Sequence, residues 1–400
     1  MPSSINASTT AGVVTTADTS GVLNIQTAGT TAIAIDASQA VTFTNSANLP
    51  NTFGFKNRII NGAMVIDQRN AGASVSTSTD TFGVDRMQVY ANIPSKYTAQ
   101  QNAGSVTPPS EFTKYLGITS SSAYSPAAGD VFVILQNIEG YNTADLGFGT
   151  AGASTVTLSF WVRSSLTGTF GGSLANEAYN RSYPFSYAIS SANTWEKKSI
   201  TIAGDTAGTW ATTGGAGIRL YLDLGCGSSY IGTAGAWAPT LYTTVAGATK
   251  VIGTNGATFY ITGVQLEKGA TATSFDYRPY GTELALCQRY CNVFTNSDTT
   301  NQRHSTFAMA ASTTQVDSAF SFKASMRTSP SVLIDTIGNI RISDGITAVT
   351  PTTYSIMSAV NGSQQGLVSF ATTGLTAFRP YFVEANGTLN SAKITFSAEL

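Results

Sequence analysis

Short runs of alternating apolar and polar residues recur along the chain, and their texture changes near residue 55. Before that point the runs are brief: Val22-Leu23-Asn24-Ile25-Gln26, Ala32-Ile33-Ala34-Ile35-Asp36 and Val41-Thr42-Phe43. Each is long enough for a strand and too small to bury a core alone. Two readings fit residues 1–50: a flexible tail, or a thin shaft in which several copies supply one another's missing core. Asn45–Gly54, "NSANLPNTFG", reads as a linker.

From Phe55 onward the runs lengthen. "STVTLSFWVRSS" places Val156, Leu158, Phe160 and Val162 on one face of a strand. "YPFSYAIS", "WEKKSITIAG", "AGIRLYLDLG" and "GATFYITGVQLEKG" repeat the pattern at spacings suited to a β-sandwich over residues 55–281. In the last of these, strict alternation puts Phe259, Ile261, Gly263 and Gln265 on one face and Tyr260, Thr262, Val264 and Leu266 on the other.

"GTELALCQRYCNVF" is the one strong helix candidate and predicts a linking helix over residues 282–295. Thr282 suits its N-cap and Glu283 its first turn. Leu284, Cys287, Cys291 and Phe294 fall at 3-4-3 spacing and form a single apolar seam. That seam lies either on the chain's own sandwich or around a symmetry axis between copies. Residues 296–400 return to alternation divided by Gly, Asn and Pro turns, which predicts a second β-sandwich. The fold class is therefore all-β.

Composition narrows the functions. Charged residues are 11% of the 400, against roughly 25% in an average soluble protein. Hydrophobic residues at 42% and aromatics at 10% still build cores. The net charge is -1 with no basic block, which argues against nucleic acid as a partner. No apolar run reaches the roughly 18 residues of a membrane helix, and no signal-peptide pattern opens the chain, so synthesis in a reducing cytoplasm without membrane insertion is expected. Cys226, Cys287 and Cys291 are too few for a disulfide framework and read as small apolar packing residues.

Catalytic and metal motifs are scarce. His304 is the single histidine, so no histidine-based zinc site can be built. "GFGTAG" matches a dinucleotide loop but precedes a strand rather than a helix. Carboxylates are spread thinly: Asp80, Asp85, Glu139, Asp145, Asp223, Asp276 and Glu283. Asp85-Arg86 and Asp276-Arg278 read as local ion pairs. No catalytic residue, metal ligand or cofactor is assigned, although a calcium held by carbonyls and Asp side chains would leave no sequence trace.

The aromatics are more suggestive. Trp161 and Trp195 lie on or beside strands and read as core. Trp210 and Trp237 sit in Gly/Thr/Ser-rich loops, with Tyr179, Tyr183, Tyr187, Tyr230 and Tyr242 nearby. Flat rings beside hydroxyl and amide groups suit the faces of sugars, and Trp210, Trp237, Tyr179, Tyr183 and Tyr187 are the candidate carbohydrate-binding residues. The near-zero net charge points to a neutral or weakly charged glycan.

"NRIINGAMVIDQRNAG", "TFGVDRM", "LSFWVRSS", "NTWEKKSITIAGDTAGTW", "GVQLEKGATATSFDYRPYGTELALCQRY" and the closing "SAEL" together resemble bacteriophage tail-fibre proteins. The resemblance departs at Met87, where an aromatic is expected. It implies a homotrimeric virion fibre attached to the particle by its N-terminus. The central segment is similar to carbohydrate-binding jelly rolls, which implies recognition of a host-surface glycan. Two other readings stay open: a purely structural head fibre or tail spacer, and a polysaccharide depolymerase.

Overall fold

The structure is a computed structural model of the chain. It describes residues 3–8, 12–16, 20–27, 29–38, 41–43, 55–295, 303–305, 307–357, 364–386 and 392–400. The chain divides into two compact units, one of residues 1–54 with 271–274 and one holding the rest. The linker Asn45–Gly54 and residues 296–302 lie largely or wholly outside the described residues.

The first unit contains one five-stranded sheet, ordered Gly12–Thr16, Ser3–Ser8, Leu23–Thr27, Thr30–Ile35, Val41–Phe43. Ser3–Ser8 runs parallel to Leu23–Thr27, and the other pairs are antiparallel. Gly29, at φ +78°, turns the chain between two of these strands. Ile33 and Ile35 remain half-buried, since a lone sheet of small residues leaves its apolar side chains only partly covered.

In the second unit, two six-stranded antiparallel sheets pack face to face. One is ordered Glu196–Ile202, Val156–Ser164, Thr258–Lys268, Leu116–Ser120, Tyr97–Gln101, Val75–Ser76. The other is ordered Ser182–Ile189, Gly168–Ala175, Ala216–Asp223, Phe132–Glu139, Met87–Ala91, Phe82–Val84. Alternation sends Val156, Leu158, Phe160 and Val162 inward to meet Ile134, Leu174, Leu220 and Leu222. Met87 joins this core.

Strict alternation fails in Thr258–Lys268. Ser159 pairs with Gln265 while Trp161 pairs with Thr262, so one extra residue is inserted. Gly263 sits in this bulge at φ +62°, and a Cβ there would come within 2.5 Å of the Phe112 ring. The bulge flips the pattern, and Val264 and Leu266 follow Phe259 and Ile261 into the core.

The expected helix is shorter than its apolar spacing suggested. It spans Tyr280–Gln288, with Pro279 rather than Thr282 at its N-cap. Leu284 and Cys287 pack on Ile60, Ile66 and Tyr290 of the same chain. Cys291 and Phe294 stand instead on the strand Cys291–Thr295, paired with Lys393–Ser397. The four residues therefore do not form one helical seam. A strand partner a hundred residues downstream overrides the helical period, and Phe294 joins Phe320 and Phe396 at centroid distances of 5.3 and 5.7 Å.

The remaining strands complete a three-stranded sheet, Cys291–Thr295, Lys393–Ser397, Ser331–Ile334, and a seven-stranded one that includes Ile340–Ser343, Pro380–Ala385, Gln315–Ser321 and Gln365–Ala371. Phe320, Phe370, Val383 and Phe396 form their shared core.

A charged network joins these sheets to the sandwich. The Glu139 carboxylate, almost wholly buried, accepts two hydrogen bonds from Arg289 at 2.6 and 2.8 Å and one from the Tyr290 hydroxyl at 2.7 Å. Arg86 does not spend its charge on its neighbour Asp85: it stacks on the Tyr290 ring at 3.6 Å and pairs with Glu399. Arg69 binds Glu399 at 2.9 Å, and Arg327 donates to the carbonyls of Gly214, Ala398 and Glu399. Likewise Arg278 pairs with Glu283 at 3.2 Å, while the Asp276 carboxylate accepts the Asn57 amide at 3.1 Å.

Burial raises the Glu139 pKa, but the bonds from Arg289 and Tyr290 outweigh it and leave the carboxyl below its ordinary value. Its contribution to stability is thus full above the unfolded value near pH 4.5 and is lost as pH falls through the folded value. Glu139→Gln should cost about 2–3 kcal/mol at pH 7, less than the roughly 3–5 of a wholly buried pair because Arg289 reaches water. It should also remove part of the stability loss between about pH 5 and pH 3. Urea unfolding of both proteins over that range measures this, and parallel pH profiles would contradict it.

Candidate functional site

The five candidate aromatics separate. Tyr183 and Tyr187 lie on Ser182–Ile189 and face the interior, Tyr187 packing on Phe160 and Phe170 at 5.0 and 5.9 Å. Trp210 is buried, and Trp237 is half-buried against it at 5.4 Å, with Phe148 edge-on to both. Their indole N–H groups donate to the carbonyls of Ala207 and Ala203, at 3.1 and 2.8 Å. This cluster is a loop core. Beside it lies a cleft of about 130 Å³ into which Trp210 and Phe148 show their edges.

Tyr179 is the exception, 45% exposed and held at φ +58°. A non-glycine residue in the left-handed region persists only when its surroundings over-determine it. Here the buried Asn176 does so. Its Oδ1 accepts the Asn180 and Arg181 amides, each at 3.1 Å, and its Nδ2 donates to the Thr209 carbonyl at 3.0 Å. Arg181 is in turn fixed by a two-pronged pair with Asp205 at 2.6 and 2.7 Å. The turn presents the Tyr179 ring to the outer face of the second sheet.

That face carries a second aromatic set. Alternation that buries Ile218, Leu220 and Leu222 turns Tyr221 outward, and the strand Met87–Ala91 does the same for Tyr90. Tyr90 is paired directly with Val133, and Tyr221 with Leu135, so the two rings flank an aliphatic strip. A loop crosses above them. Asp223 anchors it, accepting the Gly225 and Cys226 amides at 2.8 and 2.7 Å and the Thr244 hydroxyl at 2.6 Å. Gly171 lets the loop lie flat, since a Cβ there would sit 2.5 Å from the Thr244 hydroxyl. The loop brings Tyr230, Leu241 and Thr243 to the rim.

The result is a cleft of about 190 Å³ with a floor of Tyr90, Val133, Leu135 and Tyr221 and walls of Tyr179, Tyr230 and Leu241. Burial, and then the neighbouring Tyr230 and Tyr179 hydroxyls, push the Tyr90 phenol up; burial does the same for Tyr221. Both stay protonated at neutral pH and can donate as well as accept. Arg219 stacks on Tyr179 at 4.8 Å and donates to the Asn137 side chain at 2.7 Å. Rings, hydroxyls and a guanidinium make a surface for stacking and hydrogen bonding. Among the described residues no three His, Cys, Asp or Glu side chains gather as metal ligands.

Of the candidates from sequence, only Tyr179 reaches this cleft. Tyr230 is one of the tyrosines noted near the loop tryptophans, whereas Tyr90 and Tyr221 lie outside that set, although alternation in "MQVYA" and "IRLYLDLG" already sets them opposite the core positions.

No family model matches the chain, and no curated protein matches it. Solved structures with similarity include a putative sugar binding protein from Bacteroides thetaiotaomicron, at 13% identity and TM-score 0.32, over 53% of this chain and 100% of that one. The enzymatically active domain of tailspike protein 4 from bacteriophage CBA120 matches at 13% identity and TM-score 0.29, over 61% and 25%. A family 11 carbohydrate-binding module from Clostridium thermocellum, in complex with a beta-1,3-1,4-mixed-linked tetrasaccharide, matches at 9% identity and TM-score 0.25, over 51% and 99%.

The strained turn gives a direct prediction. Tyr179→Ala and Tyr179→Gly remove the same ring, but only Gly relieves the left-handed backbone. The Gly variant should be more stable by about 1 kcal/mol, read by thermal or urea unfolding. An Ala variant as stable as the Gly variant would show that the turn stores no strain.

Proposed function

We propose that this chain is the receptor-binding fibre protein of a bacteriophage, which attaches the particle to a host-surface glycan without catalysis. The observation that carries the reading is the tyrosine-lined cleft. Its floor is paired sheet, and its lining offers tyrosine rings and hydroxyls rather than carboxylates. Such a surface stacks on pyranose faces and hydrogen-bonds their substituents. It lacks a pair of acids to protonate and attack a glycosidic bond. The carboxylates weighed from sequence support this: Glu139 is spent on Arg289 and Tyr290, Asp145 pairs with Arg58, and Asp223 is sealed under the crossing loop.

The fibre role rests on the sequence resemblance and on the first unit, whose half-buried apolar strands suit pairing with further copies. In this reading the protein is made in the host cytoplasm and joins the virion through its N-terminal unit as a homotrimer. Light scattering should then give three chains per particle at micromolar concentration; a monomer would remove the trimer from the proposal.

The binding test uses purified protein and intact host cells. Tyr179→Ala and Tyr230→Ala should each weaken adsorption by about 5–10-fold per site, the size of one stacked ring. Because several copies bind together, the loss on cells should be larger than with free oligosaccharide. Trp210→Ala should instead lower stability by about 3–5 kcal/mol, as loss of a buried aromatic does. Folded tyrosine variants that adsorb like wild type would move recognition away from this cleft.

A further inference from the structure

A single positive charge stands beside the cleft, against the Tyr179 ring that forms one of its walls. Arg219 stands on the strand Ala216–Asp223, two residues before Tyr221 and on the same outer face. The one side-chain hydrogen bond it makes among the described residues goes to the uncharged Asn137 amide oxygen. Its Nε has no hydrogen-bond partner, and no carboxylate lies within 4 Å of it among the described residues. Nearby arginines differ: Arg181 is paired with Asp205, and Arg289 with Glu139. Two acids near the ends of this strand have other hydrogen-bond partners. Glu177 accepts the Ala216 amide at 3.1 Å, and Asp223, at the other end of the strand, is held under the crossing loop.

We infer that the cleft recognises a carboxylate-bearing saccharide, the carboxylate pairing with Arg219 while the sugar face stacks on the Tyr179 and Tyr221 side. This rests on the reading of the cleft as a saccharide site and names the class of sugar it takes. The geometry favours it for two reasons. A guanidinium held against a ring keeps its terminal N–H groups in one plane, and those left free beside the Asn137 bond match a planar carboxylate. Tyr179 also orients both partners, with its ring holding Arg219 at 4.8 Å on one side and bounding the cleft on the other. The strained Tyr179 backbone then serves to place the ring between a fixed charge and the ligand. A uronic acid and a sialic acid share this chemistry, and the test separates them.

The experiment is an array of bacterial surface oligosaccharides and sialosides, with each acidic glycan printed intact and after chemical reduction of its carboxyl group to a hydroxymethyl. The full chain should bind acidic spots and lose about tenfold or more on reduction. Whether uronate or sialate spots respond identifies the source of the carboxylate. Equal binding before and after reduction would overturn the inference while leaving the saccharide cleft standing. No binding to any spot would overturn both. For a bound glycan, calorimetry then compares wild type, Arg219→Lys, Arg219→Gln and Tyr179→Ala. Arg219→Gln should bind the acidic glycan and its reduced form equally, Arg219→Lys should retain part of the preference, and Tyr179→Ala should lose affinity for both. A preference that survives in folded Arg219→Gln would refute the role of Arg219. If Arg219→Gln does not fold, Arg219→Lys and the intact-versus-reduced comparison on wild type decide the question.

Discussion

The Glu139 carboxylate, buried where the sandwich meets the strand and helix that leave it, is the constraint on which the second unit's arrangement depends. An unpaired charge there would cost several kcal/mol, so its partners must arrive together. Arg289 and Tyr290 lie at the end of the helix Tyr280–Gln288, and Tyr290 in turn carries Arg86 on its ring. Arg86 and Arg69 both reach Glu399, which fixes the last strand region against the sandwich. In a chain poor in charge, five charged side chains meet at this join. Hydrophobic burial alone would let the two layers slide; directional pairs set one register.

The same strand that ends in Glu139 supplies the floor of the cleft. Val133 and Leu135 point outward between Tyr90 and Tyr221, and Asn137 meets Arg219 one step further along the same face. Join and cleft are therefore successive positions of one outer face. The join holds one end of the floor strand, and a separate crossing loop brings Tyr230.

Whole-chain charge says little about the charge beside any one cleft. A net charge of -1 describes an average over many paired groups. Recognition is governed by the few groups within a Debye length of roughly 8 Å. At the Tyr179 turn the Arg181 charge is paired with Asp205, whereas Arg219 has no carboxylate within 4 Å among the described residues.

Much of the architecture was legible from residues alone. Alternation in Val156–Ser164 and Ala216–Asp223 marked the sandwich strands because side-chain direction in a strand follows from spacing. The two units divide between Gly54 and Phe55, with residues 271–274 joining the first. Local pattern failed where a distant segment decided the outcome. Gly263 reversed a face because Phe112 leaves no room for a Cβ. Cys291 and Phe294 left the helical seam because Lys393–Ser397 offered backbone partners that sequence spacing does not record. Of the five aromatics chosen from loop composition, four pack into cores, and Tyr179 alone lines the cleft. Its companions come from residues 90, 221 and 230, which antiparallel pairing and a crossing loop bring together. Sequence determined which residues alternate; only the tertiary structure decided which faces remain open, because exposure depends on what other segments cover.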